Sequence, residues 1–142
     1  MNIEELMEKF PKAFEHADIW FPDGWRQIGE DCLTMMLYNY SWYDKSKDDL
    51  DAVQGNYIEI HQIKEKFGEL RVYFSIVNDP CDFQGNSISD RLLNLSYGVV
   101  RFAEYLSRKT CQVCGEHGTL RTTRPYIETL CDEHDRARSN PT

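Results

Sequence analysis

Cys111, Cys114, Cys131 and His134 are the residues of this chain whose types and spacing most directly specify a chemistry. A Cys-x-x-Cys and a Cys-x-x-His, with sixteen residues between them, can surround Zn²⁺ with three thiolates and one imidazole. Four protein ligands fill a tetrahedron, so the predicted zinc is structural, with no coordination position open for a substrate. His117 competes for the fourth place, because Cys114-x-x-His117 also has workable spacing, but Gly115 and Gly118 set it in a loop and His134 is the expected ligand.

Other zinc chemistries fit less well. A zinc deaminase needs a His-x-Glu upstream and a Pro before its Cys pair, and neither is present. A treble-clef nuclease needs a catalytic His with further metal ligands, for which His117 is the lone candidate. A DNA-reading finger needs a long helix after the last ligand, yet only eight residues follow His134. Arg121, Arg124, Arg136 and Arg138 make the region locally basic and keep nucleic-acid contact as an alternative. No Ser-His-Asp set or Gly-rich phosphate loop occurs, His16 and His61 have no ligand neighbours in sequence, and Glu30 and Asp31 are two acids among many. No catalytic residue is therefore assigned.

The chain that must position the four ligands has 142 residues, 41% of them apolar and 13% aromatic, a composition suited to one compact body. Its start, Met1-Asn2-Ile3-Glu4-Glu5, has neither a basic nor an apolar leader region, and no run of eighteen apolar residues occurs. An intracellular, soluble protein is expected, with no membrane partner. In a reducing compartment Cys32 and Cys81 are ordinary thiols. The net charge of −8 lies wholly in residues 1 to 60, where 13 acids face 5 basic residues, while the remainder balances at 11 and 11. Such a field repels phosphate backbones and favours a basic protein surface, while the plainer reading of it is solubility.

Periodicity predicts an α+β fold, with helices on a small antiparallel sheet built around a central hairpin, in a body over 1 to 109 and a treble-clef-like zinc lobe over 110 to 142. Ile3, Leu6, Met7, Phe10 and Phe14 mark a helix over 2 to 17, broken near Pro11. Ile28, Leu33, Met36 and Leu37 mark a second, from Trp25 to about residue 43, before a charged loop. Residues 57 to 66 and 69 to 77 read as strands of a hairpin turning at Gly68, with Leu70, Val72, Phe74 and Ile76 on one face. A capping box at Ser87 and Asp90 opens a helix over 88 to 109, whose seam of Ile88, Leu92, Leu95, Val99, Phe102 and Leu106 packs on the hairpin. In the zinc lobe, 119 to 123 and 126 to 130 are expected to pair. Lys64, Lys66 and Arg71 around Phe67 offer a basic ridge, but interleaved Glu65 and Glu69 nearly neutralise it. The expectation is that Phe67 and Leu70 fill the core and that Arg71 pairs with Glu59 or Glu69.

Three pieces taken in order carry a resemblance: Asp23-Gly24-Trp25, then Gln62 to Arg71 with its Lys-Phe-Gly-Glu-Leu-Arg run, then Cys-x-x-Cys-Gly with Leu-Cys-x-x-His. Over about residues 20 to 135 the chain resembles a family of small bacteriophage and prophage proteins with a Gly-Trp helix, this hairpin and a C-terminal zinc module. The resemblance implies a phage origin and a metal-bound fold, and it carries no activity. The chain departs from that pattern at Tyr38, Tyr40, Trp42 and Tyr43 and the acidic stretch after them.

Taken with the phage origin that the resemblance implies, charge placement and the lack of catalytic equipment lead to the expectation of a non-enzymatic protein that binds a host protein. It would act as an acidic inhibitor of a nucleic-acid-binding defence complex, in the manner of an anti-CRISPR. Tyr40, Trp42, Tyr43, Asp44, Asp48, Asp49 and Asp51 are the candidate contact residues. A nucleic-acid-binding or regulatory zinc module and a treble-clef nuclease are the alternatives.

Overall fold

The computed structural model describes residues 1 to 38, 58 to 77 and 89 to 139. The candidate contacts from Tyr40 to Asp51, together with Cys81, Ser87 and Ile88, lie outside them. The order is α1 (Ile3–Lys9), β1 (Asp18–Ile19), a 3₁₀ turn (Asp23–Trp25), α2 (Arg26–Leu37), β2 (Ile58–Lys66), β3 (Glu69–Ile76), α3 (Ser89–Ser107), β4 (Thr119–Arg121), β5 (Glu128–Leu130) and α4 (Asp132–Ser139). It is the expected α+β fold, helices against small sheets, ending in the Cys/His cluster. Among the described residues, no helix is long and apolar enough to cross a membrane.

Asn2 opens α1 with a complete capping box, its side chain accepting from the Glu5 amide at 2.8 Å while Glu5 accepts from Asn2 at 3.1 Å. The helix ends at Lys9, earlier than its apolar spacing suggests, because Pro11 cannot continue it. Phe10, Ala13 and Phe14 nevertheless stay buried, in consecutive turns instead of a helix. A buried carboxylate joins α1 to α2: Glu30 accepts the Ile3 amide at 2.7 Å and lies 3.5 Å from Arg26 Nε. Glu30 therefore has a structural task.

β2 and β3 form the antiparallel hairpin, and the two-residue β1 adds a parallel edge to β2 that propensity could not reveal. A register shift between Ile60 and Gln62 lets Ile60 and Ile63 both face inward, where strict alternation would expose one. Phe67 and Gly68 make the turn with φ of 55° and 77°, the pattern of a type I′ hairpin. Leu70 is fully buried as expected, but the ring of Phe67 is 66% exposed, so it does not fill the core. Arg71 meets Glu69 at 3.1 Å and Glu104 of α3 at 3.6 Å.

α3 packs against β3 and α2, turned relative to its predicted seam. Leu92, Ser96, Val100, Ala103 and Ser107 are the buried line, while Phe102 is exposed. Small residues win this face because the helix approaches the hairpin closely enough for Ser107 Oγ to accept the Leu70 amide at 2.9 Å. Size, rather than hydrophobicity, set the helix's rotation.

Candidate metal centre

α3 ends in hydrogen bonds that launch the knuckle. Thr110 donates its hydroxyl to the Leu106 carbonyl at 2.8 Å and pairs with His117 in an isolated bridge. Between them the chain reverses over Cys111 to Gly115, where Gly115, at a φ of 82°, donates its amide to the Cys111 carbonyl at 2.9 Å. A side chain there would be strained, which explains the Gly behind the second Cys. β4 and β5 follow in antiparallel register from Thr119↔Leu130 to Arg121↔Glu128, and α4 begins at once with Cys131 before it and His134 on its first turn. Knuckle, hairpin and ligand-bearing helix form the treble-clef-like order.

Sγ of Cys111, Cys114 and Cys131 and a ring nitrogen of His134 all lie within 4.8 Å of one another. Cys114 and Cys131 sulfurs are 3.9 Å apart, and His134 Nδ1 is 3.6 Å from the Cys111 sulfur and 3.1 Å from that of Cys131. Bond lengths of about 2.3 Å for Zn–S and 2.0 Å for Zn–N set tetrahedral edges near 3.8 Å between sulfurs and about 3.6 Å from sulfur to nitrogen. Two of the three edges match, and the third would open by about half an ångström around an ion. A sulfur separation of 3.9 Å is also far beyond a disulfide bond of about 2.05 Å. The cluster fits a Cys₃His zinc site.

Electrostatics favour the same use. Burial opposes ionisation of Cys111, yet the backbone amides of Cys131, Cys114 and Val113, with the Cys114 thiol, donate to its sulfur and bring it from the ordinary 9.0 down to about 6. At Cys114 the Glu116 amide pulls the other way, but burial and the neighbouring sulfurs hold the thiol above its usual value. A divalent cation among these sulfurs would take up the charge that the donors at Cys111 favour and the crowding at Cys114 opposes. Cys32 is pushed up to about 12, chiefly by burial and also by Glu104, so it is an inert core thiol.

The four arginines of this region divide. Arg121 donates to the Leu130 carbonyl at 3.0 and 3.2 Å and to Asp132 at 2.9 Å, and holds that carboxyl below its usual range. Arg124 reaches Asp135 at 2.6 Å and Ser139 at 3.0 Å, and Arg138 meets Glu128 at 3.2 Å. Three of the four charges that made the lobe look basic are thus internal braces between hairpin and helix. His117 is exposed and stands outside the cluster, which is the one group of three or more potential ligands among the described residues.

Sequence reasoning missed how the other two motifs serve this centre. Trp25 is fully buried and donates its indole N–H to the Thr110 carbonyl at 2.7 Å, and the Gly24 amide donates to the Gln112 carbonyl at 2.9 Å. A Cβ on Gly24 would lie 2.1 Å from the Cys111 carbonyl oxygen, so only glycine lets the turn touch the knuckle. On the other side the Gly68 carbonyl accepts from Thr129 Oγ1 at 2.6 Å, beside β5. The signal was the pairing of Gly with Trp, whose indole seeks a buried carbonyl.

Protein-family models, curated proteins and solved structures give no match to this chain.

Proposed function

We propose that this chain is a zinc-stapled, non-enzymatic protein of phage origin that acts by binding a host protein with a basic surface. The observation that carries the reading is the closed Cys₃His ligand set, clamped by backbone contacts on both sides. A metal with four protein ligands has no position for substrate, and its chemistry is to hold the knuckle, hairpin and helix together. What remains to act is surface.

Charge supports the choice of partner. The excess of acids in residues 1 to 60 suits a basic groove, such as one in a nucleic-acid-binding defence complex. The rival reading, a nucleic-acid module, loses support from the pairing of Arg121, Arg124 and Arg138 with carboxylates. The nuclease reading rests on His117, which has no other ligand beside it in a cluster among the described residues.

The test uses the zinc-loaded chain as bait in lysate of a bacterial host. The expected result is one basic protein retained in fixed proportion, and lost when Asp44, Asp48, Asp49 and Asp51 are changed together to Asn. The reading fails if the chain instead binds DNA or RNA in a salt-dependent way that Arg121, Arg124, Arg136 and Arg138 carry. It fails equally if added Mg²⁺ or Mn²⁺ elicits DNA cleavage that His117→Ala abolishes.

A further inference from the structure

Where α3 ends, the chain folds back over itself and leaves an open hollow of about 400 Å³ between the helix end and the far arm of the knuckle. Arg108 and Lys109 line it from the helix side and His117 from the knuckle, and no carboxylate lines it. Backbone holds the two arms together. Thr110 and His117 form the isolated bridge, Gly118 donates its amide to the Lys109 carbonyl at 2.8 Å, and a Cβ on Gly118 would lie 2.8 Å from the Cys111 amide nitrogen. The basic side chains therefore stand on a braced crossing of the chain.

Cations often gather past a helix C-terminus to meet its open carbonyls. Here those carbonyls are occupied. That of Leu106 accepts from the Lys109 amide at 3.0 Å and from the Thr110 hydroxyl at 2.8 Å, that of Ser107 from the Thr110 amide at 3.2 Å, and that of Lys109 from Gly118. Arg108 and Lys109 make no ion pair among the described residues, whereas Arg121, Arg124 and Arg138 of the zinc lobe each meet an acid. Lys109 holds its ammonium 5.1 Å from the centroid of the Tyr105 ring, an electrostatic contact without an acceptor atom. Asp132, whose carboxyl feels His117, is already held by Arg121 at 2.9 Å. Neither the helix end nor a carboxylate uses the charges of Arg108 and Lys109.

Thr119 brings an exposed hydroxyl to the same hollow, so guanidinium, ammonium, imidazole and hydroxyl offer their hydrogen-bond donors in one place. A phosphate monoester has three terminal oxygens and a charge of about −1.5 to −2 near pH 7, and engages such donors more fully than a singly charged carboxylate can. Tyr105, 53% exposed, and Leu120, 38% exposed, add an apolar wall for the group that carries the phosphate. The volume suits a small-molecule site. We infer that this hollow binds a phosphate monoester carried on a flat organic group, with a mononucleotide as its simplest form. A free nucleotide and the phosphorylated end of a nucleic-acid strand both offer that chemistry. The site lies in the half of the chain where acids and bases balance, apart from the acidic residues proposed to meet a protein partner, and neither binding requires the other.

Isothermal titration of the zinc-loaded chain with AMP tests the site, with inorganic phosphate and adenosine as partial ligands. The expected result is saturable binding of AMP, weaker binding of phosphate and none of adenosine. Arg108→Gln and Lys109→Gln should each lower AMP affinity by about tenfold or more and leave the thermal midpoint in place, since neither side chain braces the fold. Arg136→Gln, which removes an exposed cation of the same lobe outside the hollow, should leave AMP affinity unchanged. A short oligothymidylate separates the two sources: competition with AMP only when the strand end is phosphorylated supports strand ends, and no competition supports a free nucleotide. No AMP binding up to about millimolar concentration would overturn the site, as would binding that Arg108→Gln and Lys109→Gln both leave intact. Competition by the strand with a hydroxyl end would overturn the monoester as its ligand.

Discussion

At Trp25 one hydrogen bond couples a helix start to a metal knuckle 85 residues away, and its worth can be measured. Trp25→Phe keeps most of the ring but leaves the Thr110 carbonyl without its donor, and should lower stability by about 1–2 kcal/mol in urea titration. Glu104 makes a prediction of opposite sign. Burial raises its carboxyl above the ordinary value despite Arg71, with Glu69 adding to the rise and Arg101 opposing it. Its contribution is present below the unfolded value of 4.5 and is lost as pH rises through the higher folded value. Glu104→Gln should therefore raise the thermal midpoint at neutral pH and lose that advantage below about pH 4.5. The four candidate ligands were legible because spacing is their whole signature. Glu30 was not, because only coordinates reveal that a lone helix amide awaits it.

At the scale of elements, the hairpin carries a local contradiction. Phe67 occupies a left-handed conformation that costs an ordinary residue about 1–2 kcal/mol, and its ring is mostly exposed. Phe67→Asn creates the Asn-Gly pair that type I′ turns prefer and should stabilise the fold by about 1 kcal/mol, seen as a higher denaturation midpoint. Gly68→Ala should do the reverse, since its φ is 77° and a Cβ would lie 2.6 Å from Leu120. Strand and helix positions were readable from periodicity, which reports burial on one face. The rotation of α3 was not, because its buried line contains Ser96, Ala103 and Ser107, chosen for closeness to the sheet. β1 escaped for a related reason: two residues paired by Trp20 N to Ile63 O at 2.9 Å leave no pattern to read.

Across the whole molecule, the motifs that look separate in sequence converge. The Gly-Trp turn touches the knuckle backbone at Cys111 and Gln112, and the Lys-Phe-Gly tip touches β5 through Thr129. Zinc bound at the cluster would therefore order more than the last thirty residues. Chelation should loosen the turn before α2 and the hairpin tip together, and backbone amide exchange should accelerate at Gly24 as well as at Cys111 and Thr129. Structural zinc in comparable small modules contributes on the order of 10 kcal/mol, so removal should also lower the melting midpoint of the entire chain. The charge asymmetry was plain in sequence, but the neutralisation of Arg121, Arg124 and Arg138 by nearby acids needed three dimensions.

Zinc-edge X-ray absorption on protein purified without added metal tests the central claim most directly. The Cys₃His centre predicts one zinc per chain with three sulfurs at about 2.3 Å and one nitrogen at about 2.0 Å. Protein without zinc, or a zinc shell of nitrogen and oxygen with a water in an open position, would contradict it.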